Sequence, residues 1–390
     1  MDKDHKDQKA RYREQTINLL TRMVQAPSVT GDTKGYQAIA SILSEEMESM
    51  GFKTERLGIE AGKPNVVGTI DKGSHPVLLL NGHVDVVPPG PRENWEMDPF
   101  QGKLEGDRLF GRGACDMKGG LAAMLTGAKI FLDSRPKLRG SLILTGTVDE
   151  EIGGFDGLKY LMDQGLRADL GIVCEPTELK IANVSKGLVW IDLKTQGKEA
   201  HGSMPERGVN AISKMARLLL SLEANPPCSG THEVLGSGTF NIGAIHAGTK
   251  PNIVPGICEA QIDVRYLPGQ SHEEIVRQIE DLIRESKSQD PDLLAQVGVI
   301  RYRIPVEVPE NAEIIRRISR ATEEVTGRRP ELRGMVSPGD VEHLFRVGIP
   351  GVMFGPGSES LAHAANEWIS IDSVLTASLI YATLMRDILT

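Results

Sequence analysis

The stretch LLLNGHVDVV, residues 78–87, decides the fold. A run of aliphatic residues ends in a short polar turn that carries His83 and Asp85. Two further stretches follow the same plan. LTGTVDEE, 144–151, ends on Glu150 and Glu151, and GIVCEP, 171–176, carries Glu175. Each reads as a strand with metal-ligand-type residues at its carboxyl end. That is where open α/β sheets place their sites.

Working outward, residues 12–26 read as an amphipathic helix, with Ile17, Leu20, Met23 and Val24 at helical spacing. Residues 35–50 read as a second. Strands are expected at 65–69, 77–81 and 142–147, and a helix rich in small residues at 119–132. Strands alternating with helices predict an α/β domain with a mostly parallel sheet. Near Ser185 the texture changes. Strands at 189–195, 236–247, 258–265 and 298–304, with helices at 208–224 and 272–286, give the order β-α-β-β-α-β. That order is a ferredoxin-like α+β sandwich, inserted into the first domain. The expected division is 1–184, 185–305 and 306–390, the last part returning to the first domain and carrying His363. Hinges are expected near 184–187 and 305–309.

The balance of charge narrows the function. The chain has 390 residues with a formal net charge of −9, which disfavours a nucleic-acid or anionic-membrane role. The charged start, MDKDHKDQKARYREQ, has no apolar segment of a secretory signal and reads as a frayed end before the first helix. No apolar run approaches the ~20 residues needed to span a bilayer. A cytoplasmic location with reduced thiols is expected. Cys115, Cys174, Cys228 and Cys258 form no C-x-x-C pair and read as small buried residues.

His83, Asp85, Asp116, Glu150, Glu151, Glu175 and His363 carry the chemistry. Five carboxylates brought together cannot all stay ionised without cations, because like charges and desolvation raise their pKa values. Two divalent metals resolve that conflict and point to a hydrolase. Asp116 lies in the glycine-lined turn GRGACDMKGG, 111–120, where a carboxylate can bridge two ions or cap the following helix. In the Glu150–Glu151 pair, one carboxylate can bind metal while its neighbour moves a proton.

The motifs HVDVVP (83–88), GRGACDMKGG, TVDEEIGG (147–154), CEP (174–176), AHGSMPERGVNA (200–211) and AHAANEW (362–368) resemble, in order, one family. It contains acetylornithine deacetylase, succinyl-diaminopimelate desuccinylase, aminoacylase and a glutamate carboxypeptidase. The resemblance spans essentially the whole chain. It implies a zinc-peptidase-like catalytic domain, an inserted lid and dimerisation domain, and a homodimer. It implies two zinc ions, with cobalt or manganese as substitutes. His83 and Glu175 would hold one ion, Glu151 and His363 the other, with Asp116 bridging. Asp85 would orient His83, and Glu150 would be the general base and acid. A cis peptide is expected at Asp116–Met117. His201 would serve the oxyanion, and Asn252 and Arg265 would grip a substrate carboxylate. The loop Gly355, Pro356, Gly357 and Ser358 reads as lying beside the substrate or as a plain turn, and Asp340 is expected to cap the following helix rather than face the acyl pocket. The implied substrate is an N-acyl amino acid, N-acetylornithine-like first. A succinyl-diaminopimelate desuccinylase, a dipeptidase or carboxypeptidase, and an N-formyl-aminopyrimidine deformylase stay open, as does a non-catalytic metal-binding homologue.

Overall fold

The computed structural model describes residues 3–73 and 75–390; Met1 and Asp2, at the start expected to fray, lie outside the described residues. The chain forms two compact units. The first takes in residues 1–183, 308–333 and 339–390, the second residues 184–307 and 334–338.

In the first unit the four central strands, in the order Ser141–Thr147, Val77–His83, Leu170–Val173 and Gly351–Met353, run parallel to one another. Antiparallel strands Asn65–Ile70 and Lys53–Leu57 extend one edge. The central strands are buried along nearly their whole length. That explains why they read as unbroken aliphatic runs rather than alternating ones. Helices Gly119–Asp133 and Ile371–Leu389 pack against each other, and both are buried over most of their length.

The first helix is longer than its apolar spacing predicts, running Lys3–Val24. Its polar early turns are held by specific partners. Lys9 Nζ donates to Asp372 and Thr376 at 2.7 Å each, and the Tyr12 hydroxyl donates to Asp133 at 2.7 Å. Among the described residues no helix is long and apolar enough to cross a membrane.

The second unit is an antiparallel sheet in the order Thr239–Ala247, Ile257–Tyr266, Gly187–Gln196, Leu294–Arg303. Helices Ala211–Ala224 and His272–Gln289 share its core with Val189, Ile191, Leu193, Ala260 and Ile262. This is the ferredoxin-like order. Two details differ from the sequence reading. The helix expected from residue 208 begins at Ala211, because the Asn210 side chain caps it by accepting the Ser213 N–H. The strand expected over 236–247 is broken: Gly236–Ser237 turns back onto Thr231–His232, with Gly236 at φ +65°.

Candidate metal centre

His83 is the last residue of its strand and is buried. Its Nδ1 lies 2.8 Å from the Asp85 carbonyl oxygen, which directs Nε2 toward Asp116 Oδ1 at 3.0 Å. The Asp85 carboxylate is farther from the ring, at 3.6 Å. It works instead on the neighbouring turn, accepting the N–H groups of Glu150 (3.1 Å) and Glu151 (3.2 Å). One buried residue therefore aims both the imidazole and the paired glutamates.

The turn bearing Asp116 is built on close backbone approach. Gly113 sits at φ +81°, and a Cβ there would meet Val86 Cγ1 at 2.4 Å. The cis peptide expected at Asp116–Met117 is present. Three N–H groups of the turn point at one buried carboxylate, Glu367. Its Oε1 accepts from Cys115 (2.8 Å) and Asp116 (3.0 Å), and its Oε2 from Gly113 (3.0 Å). Arg112 Nη1 joins that oxygen at 2.6 Å and also donates to the Ala364 carbonyl, while Nη2 donates to the His363 carbonyl. Sequence reading missed this pair. Both residues lie inside the quoted motifs, but their partners are main-chain groups, which leave no residue pattern.

Asp116 faces two imidazoles. Its Oδ2 is 3.4 Å from His363 Nε2, which lies 3.0 Å from Glu151 Oε2. Ligand atoms of His83, Asp116 and Glu151 lie within 4.8 Å of one another, and so do those of His83, Glu150 and Glu175. Tetrahedral zinc with bonds of ~2.0 Å spaces neighbouring ligands about 3.3 Å apart. The spacings of 3.0–3.4 Å about Asp116 fit that geometry, and the nitrogen and carboxylate donors suit zinc.

Electrostatics point the same way. Burial lifts Glu175 well above the usual carboxylate range, and the Asp116 charge adds to the lift. Glu151 is raised by burial, against its hydrogen bond with His363. Burial disfavours a charged His83, yet its bonds to Asp116 and Asp85 raise it well above the ordinary value. Hydrogen bonds to Asp116 and Glu151 raise His363 to about 10. Burial opposes ionisation of Asp116, but His363 and His83 together hold it low. Without metal, the cluster balances its charge by keeping protons.

Cys115 and Cys174, beside the candidate ligands Asp116 and Glu175, are buried. Burial pushes the Cys174 thiol up to about 12 and raises Cys115 as well, so neither thiol is available as a thiolate near neutral pH. The loop at Gly355–Ser358 is tied to the segment following Glu175: Glu178 N–H donates to the Gly357 carbonyl at 2.7 Å, and Thr177 bridges to Ser358. Asp340 stands at the start of helix Val341–Arg346, but its side chain makes no capping bond. Fully buried, it accepts from Asn81 Nδ2 (3.0 Å) and Thr147 Oγ1 (3.2 Å) at the ends of two central strands. The buried donors on those strands claim the carboxylate that was expected to cap.

In the second unit His201 and Asn252 stand together. His201 bridges to Ile253, and the Gly202 N–H donates to the Asn252 carbonyl at 2.8 Å. Both side chains are exposed. Arg265 lies at the far end of strand Ile257–Tyr266. Its guanidinium grips Asp263 through Nε (2.8 Å) and Nη2 (3.0 Å). Structure thus groups His201 with Asn252 and separates Arg265 from both.

Residues 79–387 match the family model described as peptidase family M20/M25/M40. An acetylornithine deacetylase of Myxococcus xanthus is 32% identical over 86% of this chain and 88% of its own length. A succinyl-diaminopimelate desuccinylase of Stenotrophomonas maltophilia is 30% identical over 96% of this chain and 99% of its own. Among solved structures, the aminopeptidase PepT of Bacillus cereus aligns with a TM-score of 0.79 at 23% identity, covering 96% of this chain and 98% of that one.

Proposed function

The chain belongs to peptidase family M20/M25/M40, and from that premise we propose that it removes the acyl group of an N-acylated amino acid. Members of the family are metal-dependent hydrolases of acylated amino acids or peptides, and this chain carries candidate metal-ligand groups. One observation carries the reading furthest. Asp116 presents its two oxygens to two different histidines, at 3.0 Å and 3.4 Å, which is how a carboxylate spans a pair of ions. His83 and Glu175 would hold one ion and Glu151 and His363 the other, zinc first and cobalt or manganese as substitutes. Bound there, the ions supply Lewis acidity, bringing the ionisation of water toward pH 7 and polarising the substrate carbonyl.

The protein groups do the rest. Glu150, its N–H fixed by Asp85, takes a proton from the attacking water on a carboxylate oxygen and passes it to the leaving nitrogen. His201 donates to the oxyanion as it forms. Arg265 recognises the carboxylate of the amino acid through a planar fork, and Asn252, which lies beyond the opposite end of the same strand, would join it from a second copy. The products are a free amine and the carboxylate of the acyl group. Acetylornithine-like substrates lead. A succinyl-diaminopimelate, a dipeptide or C-terminal peptide, and a formylated aminopyrimidine use the same chemistry and differ only in the pocket.

A panel of these compounds, offered to zinc-loaded protein and to Glu150→Gln, tests the reading. The expected result is one preferred substrate, with kcat lowered roughly 10²–10⁴-fold in the variant while both metals stay bound. Loss of a metal in Glu150→Gln would make Glu150 a ligand rather than the base. Two bound metals with no turnover of any compound would favour a non-catalytic binding role.

A further inference from the structure

We propose that Arg112, clamped in a buried ion pair with Glu367, sets the metal affinity of the His363 side of the centre separately from the His83 side. The inference rests on the two-metal reading above. The two sides are built differently. His83 ends a sheet strand, and Glu175 follows the end of another. His83 is also pinned by its Nδ1 contact. The sheet therefore positions that side before any ion arrives.

His363 has no such support. It is exposed, lies outside any regular strand, and adopts φ +62°; Asn366, three residues on, adopts φ +57°. Left-handed backbone at non-glycine residues is costly and persists only where surrounding contacts enforce it. Asn366 is held by its side chain, which accepts the Glu96 N–H at 2.8 Å and donates to the Asn94 carbonyl at 3.3 Å, while the carbonyls of His363 and Ala364 are held by one side chain. Arg112 donates to the carbonyls of His363 (3.1 Å) and Ala364 (3.1 Å) with separate nitrogens. Its guanidinium also lies over the Trp95 ring at 5.2 Å and bonds Glu367 at 2.6 Å. Both members of the ion pair are almost fully buried, at 2% and 1% side-chain exposure.

Glu367 extends the connection to the bridging ligand. Its oxygens take the N–H groups of Gly113, Cys115 and Asp116. The loop that carries His363 and the turn that carries Asp116 thus meet in one ion pair. Arg112 holds the His363 loop directly and reaches Asp116 only through Glu367, bonding the oxygen that does not take the Asp116 N–H, whereas Glu367 bonds that N–H itself, and Asp116 serves both sides. Neither touches a substrate; both are positioning residues. Their removal must appear in metal binding before it appears in catalysis.

The test is stepwise zinc titration of metal-free protein against a chromophoric chelator. Wild type is expected to take up two ions. Arg112→Met is expected to keep the first affinity and weaken the second roughly 10–100-fold, the usual effect of losing a residue that orients a ligand. Glu367→Gln places an N–H₂ group against backbone N–H donors and is expected to weaken both. Adding Arg112→Met to His363→Ala should leave the remaining ion's affinity unchanged. If Arg112→Met does not fold, Arg112→Lys serves under the same criterion, since one ammonium cannot reach both carbonyls and the carboxylate as the fork does. Equal weakening of both ions by the Arg112 variant, or no weakening, overturns the clamp. Uptake of fewer than two ions by wild type overturns the two-metal reading and the clamp with it.

Discussion

His363 is the exposed member of the candidate ligand set, and its titration has a measurable consequence. Hydrogen bonds to Asp116 and Glu151 raise its imidazole from 6.5 to about 10, so in metal-free protein it is cationic near neutral pH. Glu175 is lifted by burial and then by Asp116, so it too holds a proton more readily than a free carboxylate. Metal must displace these protons. We predict that zinc uptake near pH 7 releases protons, read as a dependence of the calorimetric heat on the ionisation enthalpy of the buffer. The sign for folding is opposite to the sign for binding. A raised histidine pKa contributes stability that is complete below the ordinary value of 6.5 and fades as pH rises through about 10. Metal-free protein should therefore lose stability over that window while its metal affinity climbs. Buffer-independent heats would show that the ligands are already deprotonated. At this scale most of the candidate ligands were legible because they follow an aliphatic run or sit in a glycine-rich turn, whereas His363 does neither and stood out through its motif AHAANEW. Arg112 and Glu367 were not, because 255 residues separate them in sequence and their partners are mostly backbone groups. Asp340 was misread for a related reason: the buried donors on Asn81 and Thr147 that claim it are invisible until the strands are placed side by side.

Secondary-structure elements decide what Arg265 can do. Asp263 and Arg265 are two residues apart on one strand and so share a face. Trp190, directly opposite Asp263 on the neighbouring strand, donates its indole N–H to the same carboxylate at 2.7 Å. That bond fixes Asp263, and Asp263 in turn holds the guanidinium by two of its nitrogens, while Nη1 makes a long bond, 3.5 Å, to Ser337 Oγ. A substrate carboxylate would compete with Asp263 or add to it. We predict that Arg265→Met raises KM for substrates with a free α-carboxylate, by about 10–100-fold if a charge-assisted hydrogen bond of ~1.5–3 kcal/mol is lost. KM for the corresponding α-amides should barely change. An equal loss on acids and amides would remove Arg265 from recognition. Strands of this unit were legible from alternation, and helices from their apolar stripes. Their ends were less so. Asn210 moved one helix start by capping it, and polar partners of Lys9 and Tyr12 extended the first helix beyond its apolar pattern.

On the scale of the whole molecule, the separation within the second unit bears on how many copies make a site. His201 and Asn252 lie beyond one end of the strand that starts at Ile257, and Arg265 lies near its other end. At roughly 3.3 Å per residue, Ile257 to Arg265 spans on the order of 26 Å. A single copy of this unit cannot bring both ends to one small substrate. If both ends serve catalysis, one must serve the site of a second copy, which is why we propose a homodimer. Mixing two inactive variants distinguishes the arrangements. His201→Ala retains Glu150, and Glu150→Ala retains His201. In a mixed dimer whose histidine acts across the interface, the site with an intact Glu150 receives an intact His201 from the partner. Random exchange makes about half the dimers mixed, each with one competent site of two, so activity should recover to roughly a quarter of wild type. A histidine acting within its own copy gives no recovery at any mixing ratio. Recovery with exchange confirmed by mass would make the dimer part of the active site; no recovery under the same exchange would confine catalysis to one chain and leave Arg265 or His201 without a catalytic role.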